Sequence, residues 1–230
     1  MTSGEGRGGI VVMAKAPVPG RVKTRLCPPC TFAQAAALAE ASLADTLAAV
    51  CATGAAWRVV ALEGEAGHWL PSGVDVMAQR GACLGERLAA AFDDTGAPAV
   101  VVAADTPQVT PELLDAALSA LARPGVDAVV GPTDDAGYWA LGLRAPRPDV
   151  FMGVPMSHPT TLAAQRRRLR RLGLRVTDLP ALRDVDEIDD AVAVAATIPK
   201  SRFATALAAI AEELDPAAAL ALRPGAGPRQ

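Results

Sequence analysis

The chain has 230 residues, of which 51% are hydrophobic and 20% are charged, and its net charge is −3. This length suits one large α/β domain with a sizeable core, and the acidic balance argues against a nucleic-acid-binding protein. Aromatic residues make up only 3% of the chain, too few for a surface that stacks single-stranded bases. No apolar run approaches the ~20 residues of a membrane span, and the start of the chain has no signal-peptide core, so we expect a cytoplasmic protein.

Strand-like and helix-like segments alternate along the chain. The predicted strands cover residues 9–14, 57–62, 74–78, 98–103, 126–130, 138–143 and 174–178. The predicted helices cover residues 32–52, 84–94, 111–122, 160–172, 187–197 and 200–214. This alternation predicts an α/β fold with a mostly parallel central sheet flanked by helices. We expect one domain over residues 9–222, between a disordered start (1–8) and a flexible tail (223–230).

A turn-rich loop over residues 14–26 follows the first predicted strand and carries four cations, Lys15, Arg21, Lys23 and Arg25. Cationic side chains and free backbone N–H groups can hold an anion there, and a polyphosphate suits them. The Lys23-Thr24 pair resembles the end of a Walker A motif. The G-x-x-x-x-G-K-[ST] spacing is absent, however, which disfavours a P-loop NTPase.

Four cysteines are present, and two of them, Cys27 and Cys30, have the C-x-x-C spacing of a redox dithiol or half a zinc site. A zinc site needs a second close pair, whereas Cys51 and Cys83 lie far from this pair and from each other. The two prolines between Cys27 and Cys30 indicate a loop rather than the helix start of a redox dithiol. We therefore expect no chemical role for these thiols.

Asp105 follows the most apolar predicted strand, where a carboxylate is costly unless it is paired or bound to a cation. Its hard oxygen atoms, beside a diphosphate or triphosphate, suit Mg²⁺ or Mn²⁺. The alternative is that Asp105 only forms a turn, because Asp-x-Pro turns are common.

Two further acidic segments follow later in the chain. Asp134 and Asp135 lie between two predicted strands and could assist at the metal, orient an acceptor hydroxyl or act as a base, although an Asp-rich turn is equally normal there. Asp184 and Asp186 are two residues apart on an extended segment, so both could face a cation. Asp186 could also cap the helix that follows, and capping does not exclude metal binding.

His158 lies in a loop just before a predicted helix. It could be the base that deprotonates an acceptor hydroxyl. The alternative is a hydrogen-bonded structural histidine.

Taken together, five motifs resemble the DUF2064 family. They read KAPVPGRVKTRL over residues 15–26, QRGACLGERL over 79–88, ADTP over 104–107, GPTDDAGYW over 131–139 and RDVD over 183–186. That family is commonly described as bacterial GT-A-like glycosyltransferases, including those grouped with arsenosugar biosynthesis, and the match runs from about residue 9 to 195. More distantly, the chain is similar to small nucleotidylyltransferases such as phospholactate guanylyltransferase, molybdenum-cofactor guanylyltransferase and CMP-Kdo synthetase.

The resemblance implies a single-domain, Rossmann-like GT-A fold of the nucleotide-diphospho-sugar transferases, with a nucleotide-activated donor, a small-molecule acceptor and Mg²⁺ or Mn²⁺. The residues implied for nucleotide binding are Lys15, Pro17, Gly20, Lys23, Thr24, Arg25, Gln79, Gly81, Leu84, Gly85, Arg87 and Asp105. The residues implied for the acceptor are Asp134, Asp135, Tyr138, Trp139, Ser157 and His158. The implied metal ligands are Asp105 and Asp186, and the candidate catalytic residues are Lys23, Asp105, Asp135 and His158.

Two departures from the family pattern affect this interpretation. The Asp-x-Asp motif frequent in glycosyltransferases is absent around Asp105, because Ala103 and Pro107 stand two residues to either side. Metal binding then needs a distant partner, as in the nucleotidylyltransferases. Ala136 stands where a Gly-Gly pair is expected, and a positive φ there would cost about 1–2 kcal/mol.

These features favour a metal-dependent glycosyltransferase that uses an NDP-sugar. The first alternative is a nucleotidylyltransferase that joins an NTP to a small phosphorylated acceptor and releases pyrophosphate. The second alternative is a nucleotide-binding protein without catalysis. The oligomeric state is left open.

Overall fold

A computed structural model describes residues 8–96 and 98–214. The strands are β1 (Gly9–Lys15), β2 (Arg58–Glu63), β3 (Asp75–Ala78), β4 (Ala99–Ala103), β5 (Ala128–Pro132), β6 (Tyr138–Leu143) and β7 (Val176–Asp178). The helices are α1 (Phe32–Cys51), α2 (Leu84–Thr95), α3 (Pro111–Ala122), α4 (Thr161–Arg171), α5 (Ile188–Thr197) and α6 (Arg202–Glu213). Each predicted strand and helix is thereby confirmed, with bounds that differ by two residues at most.

The two predicted terminal segments fall largely outside the described residues. Residues 1–7 and 223–230 are not described. Gly8 was predicted to belong to a disordered start, but its carbonyl accepts a hydrogen bond from the Ala56 N–H at 3.1 Å. Gly8 is thus fixed against the segment that leads into β2.

The seven strands form one sheet in the order β3-β2-β1-β4-β6-β5-β7. All neighbouring pairs are parallel except the two that include β6, which runs antiparallel to β4 and to β5. Strand β6 is antiparallel to β5 because only residues 133–137 connect the two, and a connection this short allows a hairpin but no crossover. Since four of the six neighbouring pairs are parallel, the prediction of a mostly parallel sheet is confirmed.

Both faces of the sheet are covered by helices, which explains the uninterrupted apolar runs in β1 and β4. Ile10 and Val12 of β1 face a cluster that includes apolar side chains of α1 and α3. Val11 faces the other way, into a cluster with α2 and α4. A third cluster packs α5 and α6 against the outer side of α1.

The longest helix, α1, begins at a capping box in which Thr31 accepts a hydrogen bond from the Gln34 N–H and the Gln34 side chain accepts one from the Thr31 N–H. The start of α3 is also as predicted, with Thr110 as N-cap and Pro111 in the first turn. Within the two described ranges, no helix combines the length and the apolar character that crossing a membrane requires.

The strand order reverses direction between β1 and β4, because the chain extends from β1 to β2 on one side and reaches β4 on the other. In open α/β sheets, ligands bind in the crevice at the carboxyl ends of the strands at such a switch point. The loops after β1 and β4 border this crevice.

Candidate active site

Two adjoining cavities, of about 610 and 550 Å³, lie at the carboxyl ends of β1 and β4 and form one cleft. Five cations line the first cavity, here called the cationic half: Lys15, Arg21, Lys23, Arg25 and Arg87. Four carboxylates line the second, here called the acidic half: Asp105, Asp135, Asp184 and Asp186. Seven residues line both cavities: Met13, Arg25, Leu84, Ala103, Asp105, Ser157 and Asp186.

Lys23 joins the two halves. Its side chain is only 10% exposed, and its Nζ lies 2.6 Å from the Asp105 carboxylate and 3.7 Å from that of Asp186. The same ammonium donates a hydrogen bond to the Val185 carbonyl. Arg25 donates to Asp186 at 2.8 Å. The basic loop and the acids after the strands, far apart in sequence, therefore face each other.

The segment around Asp184 and Asp186 is held against the strand ends by backbone hydrogen bonds. The Val185 N–H donates to the Asp105 carbonyl at 3.0 Å, and the Leu182 N–H donates to the Pro132 carbonyl at 3.1 Å. These bonds carry the segment across the ends of β4 and β5, which brings its carboxylates to the cleft.

Asp135, Asp184 and Asp186 each offer a carboxylate oxygen within 4.8 Å of the other two. Oxygen donors of this kind suit Mg²⁺ or Mn²⁺, so the residues present fit a divalent cation. The family resemblance implies Asp105 and Asp186 as metal ligands, whereas in the structure Asp105 is paired with Lys23. The two other members of the cluster are Asp135 and Asp184.

The Asp184 carboxyl shows the electrostatic cost of this cluster. Burial raises its pKa to about 6, and the negative charges of Asp135 and Asp186 add to the rise, against a smaller lowering by Lys23. A bound cation would relieve this unfavourable charge.

Asp184→Asn is expected to change how stability depends on pH in metal-free protein. The raised pKa means that the folded chain holds the Asp184 proton more tightly than the unfolded chain does. The contribution of Asp184 to the free energy of unfolding therefore falls as the pH rises from about 4 through about 6. After a reduction for partial exposure, the variant should be more stable than the wild type by about 1 kcal/mol at neutral pH, with no difference below about pH 4. Urea unfolding in EDTA measures this, and a difference independent of pH would contradict it.

The β5–β6 hairpin fixes the direction of Asp135. Its Oδ1 accepts hydrogen bonds from the Thr133 hydroxyl at 2.5 Å and from the Gly137 N–H at 2.8 Å. Asp134 lies 3.7 Å from Arg183 and lines neither cavity. Of this predicted pair, only Asp135 reaches the cleft.

Three residues other than glycine have a positive φ in the described part of the chain: Lys23 at 49°, Ala136 at 69° and Ser157 at 53°. Lys23 and Ser157 line the cleft, and Ala136 directly follows Asp135. Backbone strain of this kind concentrates at functional sites. The expectation that Ala136 replaces a glycine in a strained conformation is thus supported by its φ.

Ala136→Gly is expected to stabilise the protein by about 0.5–1 kcal/mol, because relief of the left-handed strain exceeds the entropy cost of glycine. A matched control is Ala116→Gly at an exposed position inside α3, where the same change should destabilise by about 1 kcal/mol. Urea unfolding measures both variants. Equal destabilisation in the two would contradict the prediction.

His158 lines the acidic half, and its ring is oriented by Thr160. The Thr160 N–H donates to Nδ1 at 3.2 Å. A ring nitrogen that accepts an N–H carries no proton, so the neutral ring has its proton on Nε2. In this conformation His158 offers the cleft a donor rather than a base.

The two aromatic residues predicted to border the acceptor substrate, Tyr138 and Trp139, differ in their surroundings. The Tyr138 hydroxyl lies 3.6 Å from the Met156 sulfur, and burial raises the pKa of the phenol. Trp139 is 1% exposed, and its indole N–H donates to the Pro180 carbonyl at 2.9 Å. Because its only polar atom is already paired, Trp139 contributes only apolar surface to the cavity wall.

The polar atoms of Gln79, predicted to lie against the base, are already used. Its Nε2 donates to the carbonyls of Ala14 and Ala61, both at 2.9 Å, and its Oε1 accepts from Arg87 at 3.3 Å. Gln79 thereby connects the ends of β1 and β2. A Cβ at Gly81 would lie 2.7 Å from the Glu86 Cβ, so glycine allows this loop to pack on α2.

Most of the predicted site residues line the cleft. Those that do so are Lys15, Lys23, Thr24, Arg25, Gln79, Leu84, Arg87, Asp105, Asp135, Tyr138, Trp139, Ser157, His158 and Asp186. Those that line neither cavity are Pro17, Gly20, Gly81, Gly85 and Asp134. Thr106 and Met156 also line the cleft but were not among the predicted site residues. The position of Thr106 directly after Asp105 could have indicated it, whereas nothing in the sequence around Met156 indicates a role in the site.

The C-x-x-C thiols lie outside the cleft. Cys30 is buried in the cluster with α5 and α6, and this burial raises its pKa to about 11. Burial also raises the pKa of Cys27. Both thiols stay protonated at neutral pH and are poor nucleophiles.

Comparisons with known proteins agree with this fold. A family model described as "Uncharacterized protein conserved in bacteria (DUF2064)" matches residues 35–158. A crystal structure from Desulfovibrio desulfuricans G20, provisionally described as a nucleotide-diphospho-sugar transferase, is 30% identical over 88% of this chain and 94% of its own, with a TM-score of 0.79. The predicted nucleotide-diphospho-sugar transferase fold is therefore confirmed.

More distant solved structures share only the fold. A cytidylyltransferase from Leptospira borgpetersenii serovar Hardjo-bovis is 13% identical, covering 90% of this chain and 94% of its own, with a TM-score of 0.53. A 4-diphosphocytidyl-2C-methyl-D-erythritol synthase from Anaerococcus prevotii is 9% identical, covering 85% and 98%, with a TM-score of 0.52. No curated protein matches the sequence.

Proposed function

Since the chain belongs to the bacterial DUF2064 family, and since its cleft has a cationic and an acidic half, we propose that it is a nucleotide-dependent transferase. Its proposed reaction is the transfer of a sugar from an NDP-sugar to a small-molecule acceptor. The observation that carries the proposal is the meeting of the basic loop and the carboxylates at Lys23 and Asp105.

The cationic half is proposed to bind the diphosphate of the donor. Lys15 is the last residue of β1, Lys23 and Arg25 come from the loop that follows, and Arg87 comes from α2. Each now has a carboxylate partner: Glu63 for Lys15 and Arg87, Asp105 for Lys23 and Asp186 for Arg25. Phosphate oxygens form charge-assisted hydrogen bonds of the same kind and can take over these donors when a nucleotide binds.

The carboxylates Asp135, Asp184 and Asp186 are proposed to hold Mg²⁺ or Mn²⁺. Such a cation, when bound, offsets negative charge on a leaving nucleoside diphosphate. Asp105 keeps Lys23 at the boundary of the two halves, next to the point where the donor and acceptor would meet.

The acidic half is proposed to bind the acceptor. Asp135 can accept a hydrogen bond from an acceptor hydroxyl, since the Thr133 and Gly137 hydrogen bonds fix its direction. His158 can donate from Nε2 to a substrate oxygen. The two side chains would orient the acceptor toward the donor.

The relative from Desulfovibrio desulfuricans G20 supports the sugar-transfer proposal, because it is similar over nearly the whole chain. A second candidate is nucleotidyl transfer with release of pyrophosphate. It is favoured by the absence of an Asp-x-Asp motif around Asp105 and by the distance in sequence between Asp135 and the other two carboxylates of the cluster, Asp184 and Asp186.

Incubation with NDP-sugars, and separately with NTPs, in Mg²⁺ or Mn²⁺ tests the proposal. Release of the free nucleoside diphosphate is expected. Release of pyrophosphate instead would support nucleotidyl transfer. If neither product forms while a nucleotide still raises the melting temperature, the protein binds nucleotides without catalysis.

A further inference from the structure

Thr106 has a buried hydroxyl without a hydrogen-bond partner in the described part of the chain. The residue follows Asp105, is 0% exposed and lines the acidic half of the cleft. Folded proteins rarely leave a buried hydroxyl unpaired, so each such group calls for an explanation. A ligand in the acidic half could supply the missing partner.

The same cavity offers apolar surface. Leu88 of α2, Val101 of β4 and Met156 all line it. Leu88 and Val101 are almost fully buried, whereas Met156 is half-buried. A ligand that fills this cavity would therefore place an apolar portion against these side chains.

The charge of the acidic half limits what it can accept. Arg25 is the one Lys or Arg side chain that lines it within the described residues, and Arg25 already donates to Asp186. An anionic ligand would face carboxylates with no unpaired cation beside it. A divalent cation at the cluster would offset two of the three negative charges of Asp135, Asp184 and Asp186 and leave no positive excess.

We propose that Thr106 binds the acceptor through its hydroxyl, and that the acceptor is a neutral or cationic molecule with a hydroxyl or amino group and an apolar portion. Phosphorylated and carboxylated acceptors are excluded. This inference rests on the proposed function, in which the nucleotide fills the cationic half. It adds the chemical class of the acceptor and one residue that binds it.

Three probes that share a benzyl group test whether the acidic half excludes anionic ligands: benzyl alcohol, benzylamine and benzyl phosphate. Ligand-detected NMR measures their affinity for protein saturated with Mg²⁺ and a nucleoside diphosphate, chosen as whichever of UDP, CDP, ADP and GDP binds. Benzyl alcohol and benzylamine are expected to bind. Benzyl phosphate is expected to bind at least about tenfold more weakly.

Thr106→Val tests the role of the hydroxyl. The variant should bind benzyl alcohol about five- to tenfold more weakly, the loss expected of one hydrogen bond, while the affinity for the nucleoside diphosphate stays unchanged. Its melting temperature should stay the same or rise, because an unpaired hydroxyl is replaced by a methyl group. Thr106→Ser, which keeps the hydroxyl, should restore binding.

Thr46→Val is the matched control. Thr46 is also 0% exposed, but its hydroxyl donates to the Ser42 carbonyl within α1 and lines neither cavity. This variant should lower the melting temperature and leave the affinity for every probe unchanged.

Three outcomes would overturn the inference. The first is that benzyl phosphate binds as tightly as benzyl alcohol and that this binding depends on Thr106. The second is that Thr106→Val binds all probes with wild-type affinity, and the third is that no probe binds up to its solubility limit. Failure of every nucleoside diphosphate to bind would instead refute the proposed function. The comparison of the three probes on nucleotide-free protein would then still test whether the acidic half excludes anionic ligands. Failure of the inference and failure of the proposed function are therefore distinguishable.

Discussion

Replacing Asp105 by asparagine is expected to lower turnover by about 10²–10³-fold, the loss typical of a group that positions charge at the reacting centre. The Asp105 carboxylate lies 2.6 Å from the Lys23 Nζ and borders both halves of the cleft. Without its charge, Lys23 is no longer held where the donor and acceptor would meet. Initial rates of nucleoside diphosphate release, at saturating donor, measure the effect.

The fold should tolerate this change. The Asp105 side chain is half-exposed, and it is the backbone carbonyl of this residue that accepts the Val185 N–H. Asp94→Asn is the matched control. Asp94 also forms an ion pair, with Arg80, but it borders neither cavity. Near-wild-type turnover in Asp105→Asn, with metal dependence retained, would remove Asp105 from the proposed site.

Replacing Lys23 by methionine is expected to weaken binding of a nucleoside diphosphate by about 10–100-fold, equivalent to about 1–3 kcal/mol. Lys23 is the least exposed cation of the described ion pairs and lies at the boundary of the two halves. A phosphate oxygen bound there would lose a charge-assisted hydrogen bond that water does not replace well. Isothermal titration calorimetry in excess Mg²⁺ measures the loss.

Lys200→Met is the control for removal of a lysine charge, since Lys200 is exposed and lines neither cavity. Its affinity for the nucleotide should equal that of the wild type. An unchanged affinity in Lys23→Met would mean that the diphosphate binds elsewhere.

The order of strands and helices could be predicted because each signal is local. The apolar run of β4 is buried on both faces, and the Thr110-Pro111 pair begins α3 through capping of its own first turn. The antiparallel direction of β6 depends on the short connection from β5. Its direction follows from the length of that connection rather than from the pattern within the strand.

The motifs of the site could be predicted, but their partners could not. The spacing of residues places Asp105 and Asp186 near the ends of strands, yet it does not reveal that Lys23 pairs with Asp105 while Asp135 and Asp184 join Asp186. These directions depend on contacts between distant segments and on the hydrogen bonds of the β5–β6 hairpin. Those bonds turn Asp135 toward the cleft, whereas Asp134 lies beside Arg183.

Thr106 illustrates the same limit. A threonine next to Asp105 is visible in the sequence, but its significance comes from complete burial and the lack of a partner for its hydroxyl. Both are properties of the packed structure.

A crystal structure with a nucleoside diphosphate and Mn²⁺ is the most direct measurement. We expect the diphosphate oxygens within hydrogen-bonding distance of the Lys23 ammonium, and an anomalous manganese peak bordered by Asp135, Asp184 and Asp186. A diphosphate bound away from the loop of residues 14–26, or a manganese peak remote from these three carboxylates, would contradict the proposal that the loop and the carboxylates together bind the nucleotide of the donor substrate.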